Sequence, residues 1–419
     1  MKIVYVTSAL PYGSREPFLI SEITQLSRTG CELIIVPMRP QGEVVHDDIR
    51  PFLEMTIGAP LISREIVMLA VREALSSPLR TLRALRPLFR SRNLRIFIKN
   101  ISVFPKGLWL ARHARQLHAD HLHAHWASTS STMALIAAEV SPIPWSFTAH
   151  RWDIRENNLL QIKTAKACFV RTISEKGSRS VADLVGKSPS KLQVVHVGID
   201  VPESMQPWES RDPEARLKVI AVADFVEVKG HKHLIEAVRL LEDRGHPIEL
   251  DLAGDGPLRV AVERHVEEAC LSGRVTFLGT VPHPRLLRDL RAHKWDVAVL
   301  PSIVTEDADE GIPVSLMEAM GAGVPVVSTR TGAIPELLGG GAGRLVEGGD
   351  SVALADALAE LARNPVLREE LANRGRRRVL KEFNILSTAS ALALRFEECA
   401  PRPTLAYNTT SRDEALSPE

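Results

Sequence analysis

Residues 306–338 read EDADEGIPVSLMEAMGAGVPVVSTRTGAIPELL. The string divides physically into loop, helix, turn and strand. Pro313 suits the first turn of a helix, where a missing N–H costs nothing. Gly321 and Gly323 suit its stop before an apolar strand at Pro325–Ser328. A helix starting there presents N–H groups from Gly311, Ile312 and Val314, an electropositive end suited to a diphosphate. Glu310 stands just before that end, and Glu318 lies two turns beyond it. Helix followed by buried strand is one beat of an α/β fold.

The same beat runs through the rest of the chain. In the second half, short apolar runs at Lys218–Ala223, Ile248–Ala253, Val275–Leu278 and Val297–Leu300 read as strands with helical patterns between them. In the first half, strands fit Ile3–Val6, Leu33–Val36, 120–125, a run ending near His150, Cys168–Thr172 and Leu192–Val197. Helical spacing fills 17–28, with Gly30 as its stop, and 129–139. Strand, helix, strand within the first stretch is a βαβ unit, hence a parallel sheet.

The expected fold class is α/β, with two doubly wound Rossmann-like domains facing each other across a cleft. The first domain spans 1–200 and carries a basic helical insert at 61–118. A linker follows at 201–216, with Pro202, Pro207 and Pro213 among polar residues. The second domain spans 217–383. A final helix at 384–399 is read as returning to the first domain, and the tail 400–419 as disordered. Ligands of such folds bind beyond the carboxyl ends of the strands.

Composition narrows the function. The chain has 419 residues, 45% hydrophobic and 25% charged, ordinary for a globular protein of more than one domain. Its net charge of +1 conceals an asymmetry: residues 1–200 hold 26 Lys/Arg and 16 Asp/Glu, the remainder 26 and 35. The basic half is therefore the one suited to an anionic partner. No nucleic-acid partner is expected. The four cysteines, Cys31, Cys168, Cys270 and Cys399, form no CxxC pair and read as reduced cytosolic thiols. The apolar start of MKIVYVTSALP is too short for a signal peptide and reads as a first strand. No apolar run reaches membrane-spanning length. A cytoplasmic location is expected, with peripheral attachment to the inner face of the cell membrane as an extension of it.

Three further stretches carry chemistry. VADFVEVKGHKHLIEAV, residues 222–238, puts Lys229 at a sheet's carboxyl edge, where it can neutralise a departing anion. LAGDGPLR, residues 252–259, has Gly254 and Gly256 after a strand but lacks the third glycine of a dinucleotide fingerprint. SALPYGSREPFLISEI, residues 8–23, has Gly13 in a strand-to-helix turn. A fourth run, DHLHAHWAS at 120–128, puts His121, His123 and His125 on one face of a strand. A metal site is the weaker reading there, because no carboxylate or cysteine cluster accompanies it. Trp126 suits sugar stacking or core packing.

The string 306–338 resembles the E-x7-E region of glycosyltransferase family 4. The runs 120–128 and SFTAHRWDI, 146–154, resemble that family's exopolysaccharide branch, the colanic acid and amylovoran type. The resemblance implies a retaining, metal-independent sugar transfer from a nucleotide-diphosphate sugar to a glycan or lipid-linked acceptor, on the two-domain GT-B fold, with no cofactor. It implies that Glu310 binds the donor sugar's hydroxyls, Glu318 the ribose and Lys229 the diphosphate. It further implies that His150 lines the donor sugar, with Gly254, Gly256 and Gly13 on the donor side. The sequence departs from the family at Asp224, where an arginine usually contacts phosphate five residues before the lysine; Arg151 and Arg330 are candidate substitutes. Two other classes stay open: a sugar-nucleotide epimerase, and a non-catalytic nucleotide-sugar-binding protein.

Overall fold

The structure, a computed structural model, describes residues 1–400 except 14–15, 17, 45–46, 187–189, 205–215 and 307. Most of the expected linker, with Pro207 and Pro213, and the tail beyond Ala400 lie outside the described residues.

Among the described residues, strands form two parallel sheets of six. In the first, β1 (Lys2–Thr7), β2 (Glu32–Pro37), β3 (His121–Ala124), β4 (Trp145–Ala149), β5 (Val170–Thr172) and β6 (Leu192–Val194) lie in the order β2-β1-β3-β4-β5-β6. In the second, β7 (Leu217–Val222), β8 (Ile248–Ala253), β9 (Val275–Gly279), β10 (Val297–Leu300), β11 (Val326–Thr329) and β12 (Arg344–Val346) lie in the order β12-β11-β10-β7-β8-β9. This is the expected doubly wound α/β class. β12 is the strand the sequence reading lacked: all three of its residues are half-buried, too few for a pattern.

Helices cover both faces of a parallel sheet, so its strands are buried on both sides and read as unbroken apolar runs. Ile3, Val4, Tyr5 and Val6 are all fully buried. In each sheet the strand order reverses once, between β1 and β3 and between β7 and β10. At such a point the loops leaving neighbouring strands diverge to opposite faces and open a crevice.

The chain crosses between the sheets twice, side by side. Ile199 N–H donates to Phe383 O and Ile385 N–H to Ile199 O, both at 2.9 Å. Gly198 permits the approach, since a Cβ there would lie 2.6 Å from Ile385 Cα and 2.2 Å from Thr388 Oγ1. The return crossing feeds the helix Ile385–Cys399 onto the helix Phe18–Arg28. Leu392 and Phe396 are buried there with Tyr5, Leu19, Ile23 and Phe169. The last helix of the chain thus completes the core under its first strand.

The basic segment forms the helices Arg64–Ser76, Pro78–Leu85, Leu94–Ser102 and Phe104–Gln116. Ser63 and Asn93 cap two of them by accepting from Ile66 N–H and Ile96 N–H. Lys106 differs from the other cations of the segment. It is fully buried, and its Nζ donates to the carbonyls of Pro37, Met38 and Ala59 at 2.7, 2.9 and 2.6 Å. Burial lowers its pKa to about 7.

Phe396 packs its ring 5.8 Å from Phe169 and 5.1 Å from His123. We expect Phe396→Ala to destabilise the first domain by about 3–5 kcal/mol, the usual cost of deleting a buried aromatic ring. Chemical denaturation measures it; a loss under about 1 kcal/mol would mean that the last helix is not part of that core.

Candidate active site

The loops leaving β7 and β10 meet at the second sheet's switch point. Lys229 Nζ lies 2.7 Å from Glu310 Oε2, with the side chains 21% and 12% exposed. Ser302 Oγ donates to the same oxygen at 3.0 Å, and Gly311 N–H to Glu310 Oε1 at 3.2 Å. Two glycines make room. Gly230, at φ +68°, would place a Cβ 2.0 Å from Pro301 O, and Gly332, at φ +57°, would place one 1.7 Å from Glu310 O. Ala333 N–H donates to that carbonyl at 3.0 Å. Loops from three strands therefore hold one carboxylate and one ammonium.

The helix after this loop runs Val314–Gly321, and Pro313 is its N-cap in extended conformation, not its first helical residue. Gly311 N–H is already taken by Glu310. The helix terminus offers the N–H groups of Val314 and the residues just after it, and Gly311 lies in the cleft wall beside it. Ile312 lines the cleft. Glu318, 11% exposed, lies 2.7 Å from His283 Nε2, and this hydrogen bond raises the His283 pKa.

Gly254 and Gly256 bring the loop after β8 against the loop after β7. A Cβ at Gly254 would sit 2.0 Å from Ala223 O, and one at Gly256 would sit 2.8 Å from Phe225 N. Both glycines flank the backbone of Asp224, whose side chain is exposed. Gly13 serves a turn at φ +76°, where a Cβ would lie 3.7 Å from Gln41 O, and its N–H donates to Glu43 O at 2.9 Å.

Across the cleft, the first sheet's switch point is filled by its own acid. Glu16 accepts from the N–H groups of Ser8, Ala9 and Leu10 at 3.1, 2.8 and 2.8 Å and from Trp126 Nε1 at 2.5 Å. Trp126 is thereby a packing residue, its ring 4.4 Å from that of His150.

The alternating histidines are a hydrogen-bonded stack. His121 and His123 share Ser146 Oγ at 2.7 and 2.8 Å, and His123 Nε2 reaches Thr148 Oγ1 at 3.0 Å. The next pair ends a chain whose proton directions follow from its first member. Arg171 Nη1 donates to Glu22 Oε2 at 2.6 Å, and Tyr5 OH donates to Glu22 Oε1 at 2.7 Å. With its proton spent, Tyr5 accepts from His125 Nδ1–H at 2.7 Å. His125 Nε2 is then bare and accepts from His150 Nε2–H at 2.9 Å. Nδ1 of His150 is left as its unprotonated nitrogen. His150, expected to stand near the donor sugar, lies between two residues of the cleft wall. Its neighbours Ala149 and Arg151 line the cleft, while its own ring packs among His125, Trp126 and Phe18 because His125 holds it.

The cleft between the two sheets has a cavity of about 440 Å³. Its walls include Arg92, Arg151, Arg155 and Lys176 from the first domain and Asp309, Glu310 and Gly311 from the second. Asp309 pairs with Arg151 at 3.0 Å and with Lys176. Glu336 closes the joint further along, accepting from Glu175 N–H at 2.8 Å and bonding His196 Nε2 at 2.8 Å.

Residues 203–378 match the family model described as glycosyl transferases group 1. This stretch, less than half of the chain, is what is similar to that family. Over 203 residues it is 36% identical to a putative colanic acid biosynthesis glycosyltransferase, WcaL, of Salmonella typhimurium, covering 48% of this chain and 49% of that protein. It is 34% identical to the amylovoran biosynthesis glycosyltransferase AmsK of Erwinia amylovora over the same lengths. The match thus spans about half the length of these relatives. The fold is that of the Anabaena protein HepE, solved in complex with UDP, with a TM-score of 0.70 at 15% identity over 95% of this chain and all of that one. The likeness covers both sheets, so the chain has the two-Rossmann-domain GT-B fold.

Asp224, where the resemblance implies an arginine, is an exposed acid. The proposed substitutes differ in place. Arg330 lies beside Glu347 at 3.3 Å and is half exposed, whereas Arg151 is in the cleft. Ser302, Asp309, Lys176 and the Tyr5–Glu22–Arg171 group were not found from sequence. Ser302 had a signal, since it stands just past the end of a strand beside the switch point. The others had none, because their partners are distant in the chain.

Burial sets the acid sensitivity of this half. It lowers the pKa of His121 and of His150 to about 3 and that of His123 and His125 well below 6.5. The unfolded chain binds protons that the folded one refuses, so stability is present above about pH 6.5 and is lost as pH falls. Asp153 acts oppositely: burial raises its pKa to about 7, so it already holds a proton that unfolding releases. Unfolding between pH 6 and 5 should therefore take up about three protons, a slope of roughly 4 kcal/mol per pH unit. Calorimetric melting at stepped pH reads this slope; a flat melting temperature over that interval would contradict it.

Proposed function

We propose that the chain transfers a sugar from a nucleotide-diphosphate sugar to a glycan or lipid-linked acceptor in exopolysaccharide or cell-surface glycan synthesis. The Lys229–Glu310 pair at the switch point, 2.7 Å apart, carries this reading. When the sugar–phosphate bond breaks, negative charge gathers on the leaving diphosphate and positive charge on the sugar ring. Lys229 and the N–H groups at Val314 stand where they can take the first, so no divalent cation is required. Glu310, holding Lys229 in place, is positioned to accept from the sugar's hydroxyls, and Glu318 from the ribose. The acceptor attacks from the side the diphosphate leaves, which gives retention. His150, its ring held by His125, stands near the donor sugar at the reacting centre. Similarity to the family model over residues 203–378, and the biosynthetic roles named for WcaL and AmsK, support the reading.

Glu310→Ala and Lys229→Ala should each lower kcat/KM more than tenfold, about 1.4 kcal/mol of transition-state stabilisation, with melting showing an intact fold. Turnover should persist in EDTA. Near-normal rates in both variants would overturn the donor-site assignment.

We also propose that the first domain rests on an anionic membrane surface in the cytoplasm. Its helical segment exposes Leu75, Leu79, Leu82, Phe89 and Leu94 at 63–77%. Around them Arg72, Arg80, Arg83, Arg86, Arg90, Arg92 and Arg95 are exposed. Leu85 and Leu88 of the same segment turn inward. Apolar residues ringed by arginines suit a lipid interface, each cation contributing roughly 1 kcal/mol near anionic headgroups. Among the described residues no helix is long and apolar enough to cross a membrane, so attachment would be lateral. Co-sedimentation with anionic liposomes at low salt, weakened at high salt and absent with neutral lipid, is the expected result; no binding at low salt removes the claim.

A further inference from the structure

The cavity in the cleft has one lopsided wall. Arg92, Arg151, Arg155 and Lys176 line it from the first domain, against a single acid of that domain, Asp183. From the second domain come Glu310, committed to Lys229, and Asp309. The Asp309 carboxylate bridges the cleft, one oxygen 3.0 Å from Arg151 Nη1 and the other bonded to Lys176 Nζ. Burial by itself raises the Asp309 pKa. The Lys176 hydrogen bond and the charges of Lys176, Arg151 and Arg155 outweigh burial and lower it. With Glu310 paired to Lys229, the four cations of the wall face two carboxylates, Asp183 and Asp309, which leaves it positively charged.

The groups of that wall match a particular chemistry. Guanidinium groups present paired N–H donors in a plane, the geometry that phosphate oxygens accept. Arg151 is kept in orientation by its cation–π contact with Trp152, 4.8 Å to the ring centroid. Asp309 belongs to the loop between β10 and the helix Val314–Gly321, so it can leave the wall without disturbing a strand. The wall continues outward through Arg92 to Leu94, part of the exposed apolar row.

Resting on the sugar-transfer reading above, we propose that this wall is a subsite for a phosphate or diphosphate group on the acceptor, and that Asp309 is the internal counter-ion which that group displaces. The donor's diphosphate belongs to Lys229, on the other side of Glu310. The acceptor's phosphate belongs to Arg151 and Lys176, and the sugar undergoing transfer lies between them. Asp309 keeps the wall neutralised, and the two domains drawn together, until an acceptor arrives.

The test is calorimetric binding of geranyl diphosphate and of inorganic pyrophosphate to the full chain in the Lys229→Ala background, where the donor's phosphate site lacks its cationic side chain. Adding Arg151→Ala and Lys176→Ala should weaken geranyl diphosphate more than tenfold. Adding Asp309→Asn instead should tighten it at least threefold. Both changes break the same bridge between domains, so a bridge with only a structural role would move both affinities the same way. Tighter binding of geranyl diphosphate than of pyrophosphate assigns the site to a lipid-linked acceptor, and equal binding assigns it to a soluble phosphate. The proposal is overturned if neither compound binds below about 1 mM, or if Asp309→Asn weakens binding as the cation variants do. The turnover losses expected of Lys229→Ala and Glu310→Ala do not depend on this outcome, so the two readings fail separately.

Discussion

The ion pair between Lys229 and Glu310 exists because β7 and β10 lie side by side at a reversal of strand order. Removing water from two charges is costly, and the cost is met only when the partners are close and otherwise hydrogen-bonded. Here the carboxylate also has Ser302 and the Gly311 N–H, and the backbone around it is pressed tight at Gly230 and Gly332. The pair in turn sets what the neighbouring helix can offer. Glu310 accepts from the Gly311 N–H at the approach to the helix, which begins at Val314.

The first domain solves a different problem. Its switch point carries amides that would suit an anion, and Glu16 occupies them. Behind it a buried charge pair, Arg171 with Glu22, orients Tyr5, His125 and His150 in one direction. Such a network is rigid when every donor has an acceptor, and it stiffens the edge of the cleft next to Arg151. Its imidazoles must stay neutral to remain in place, which ties this domain's integrity to pH.

The opposed charges of the two halves meet at the joint. Asp309 and Glu336 of the acidic half bind Arg151, Lys176, the Glu175 N–H and His196 of the basic half. Part of the anionic partner that the basic half calls for is therefore the chain's own second domain. The remainder of the basic charge faces outward beside exposed leucines, or into the cleft.

The strand rhythm, the two-domain α/β class, the place of Lys229 at a sheet's carboxyl edge and that of Glu310 before a helix followed from sequence alone, because apolar runs and glycine punctuation are local signals. β12 escaped, being too short and too exposed to leave a pattern. Pro313 was misplaced by one step, since a proline is equally at home as the cap or the first helical residue. Lys106 looked like one more surface cation, and only the fold shows three carbonyls from two distant segments closing over it. His150 was legible as a residue at a strand's carboxyl end, but the direction of its ring depends on His125, which depends on Tyr5 and Glu22. Local composition determined which elements form. Which side chains meet was decided by strand order and by the two crossings at Ile199 and Asn384, contacts between residues far apart in the chain that no local pattern encodes.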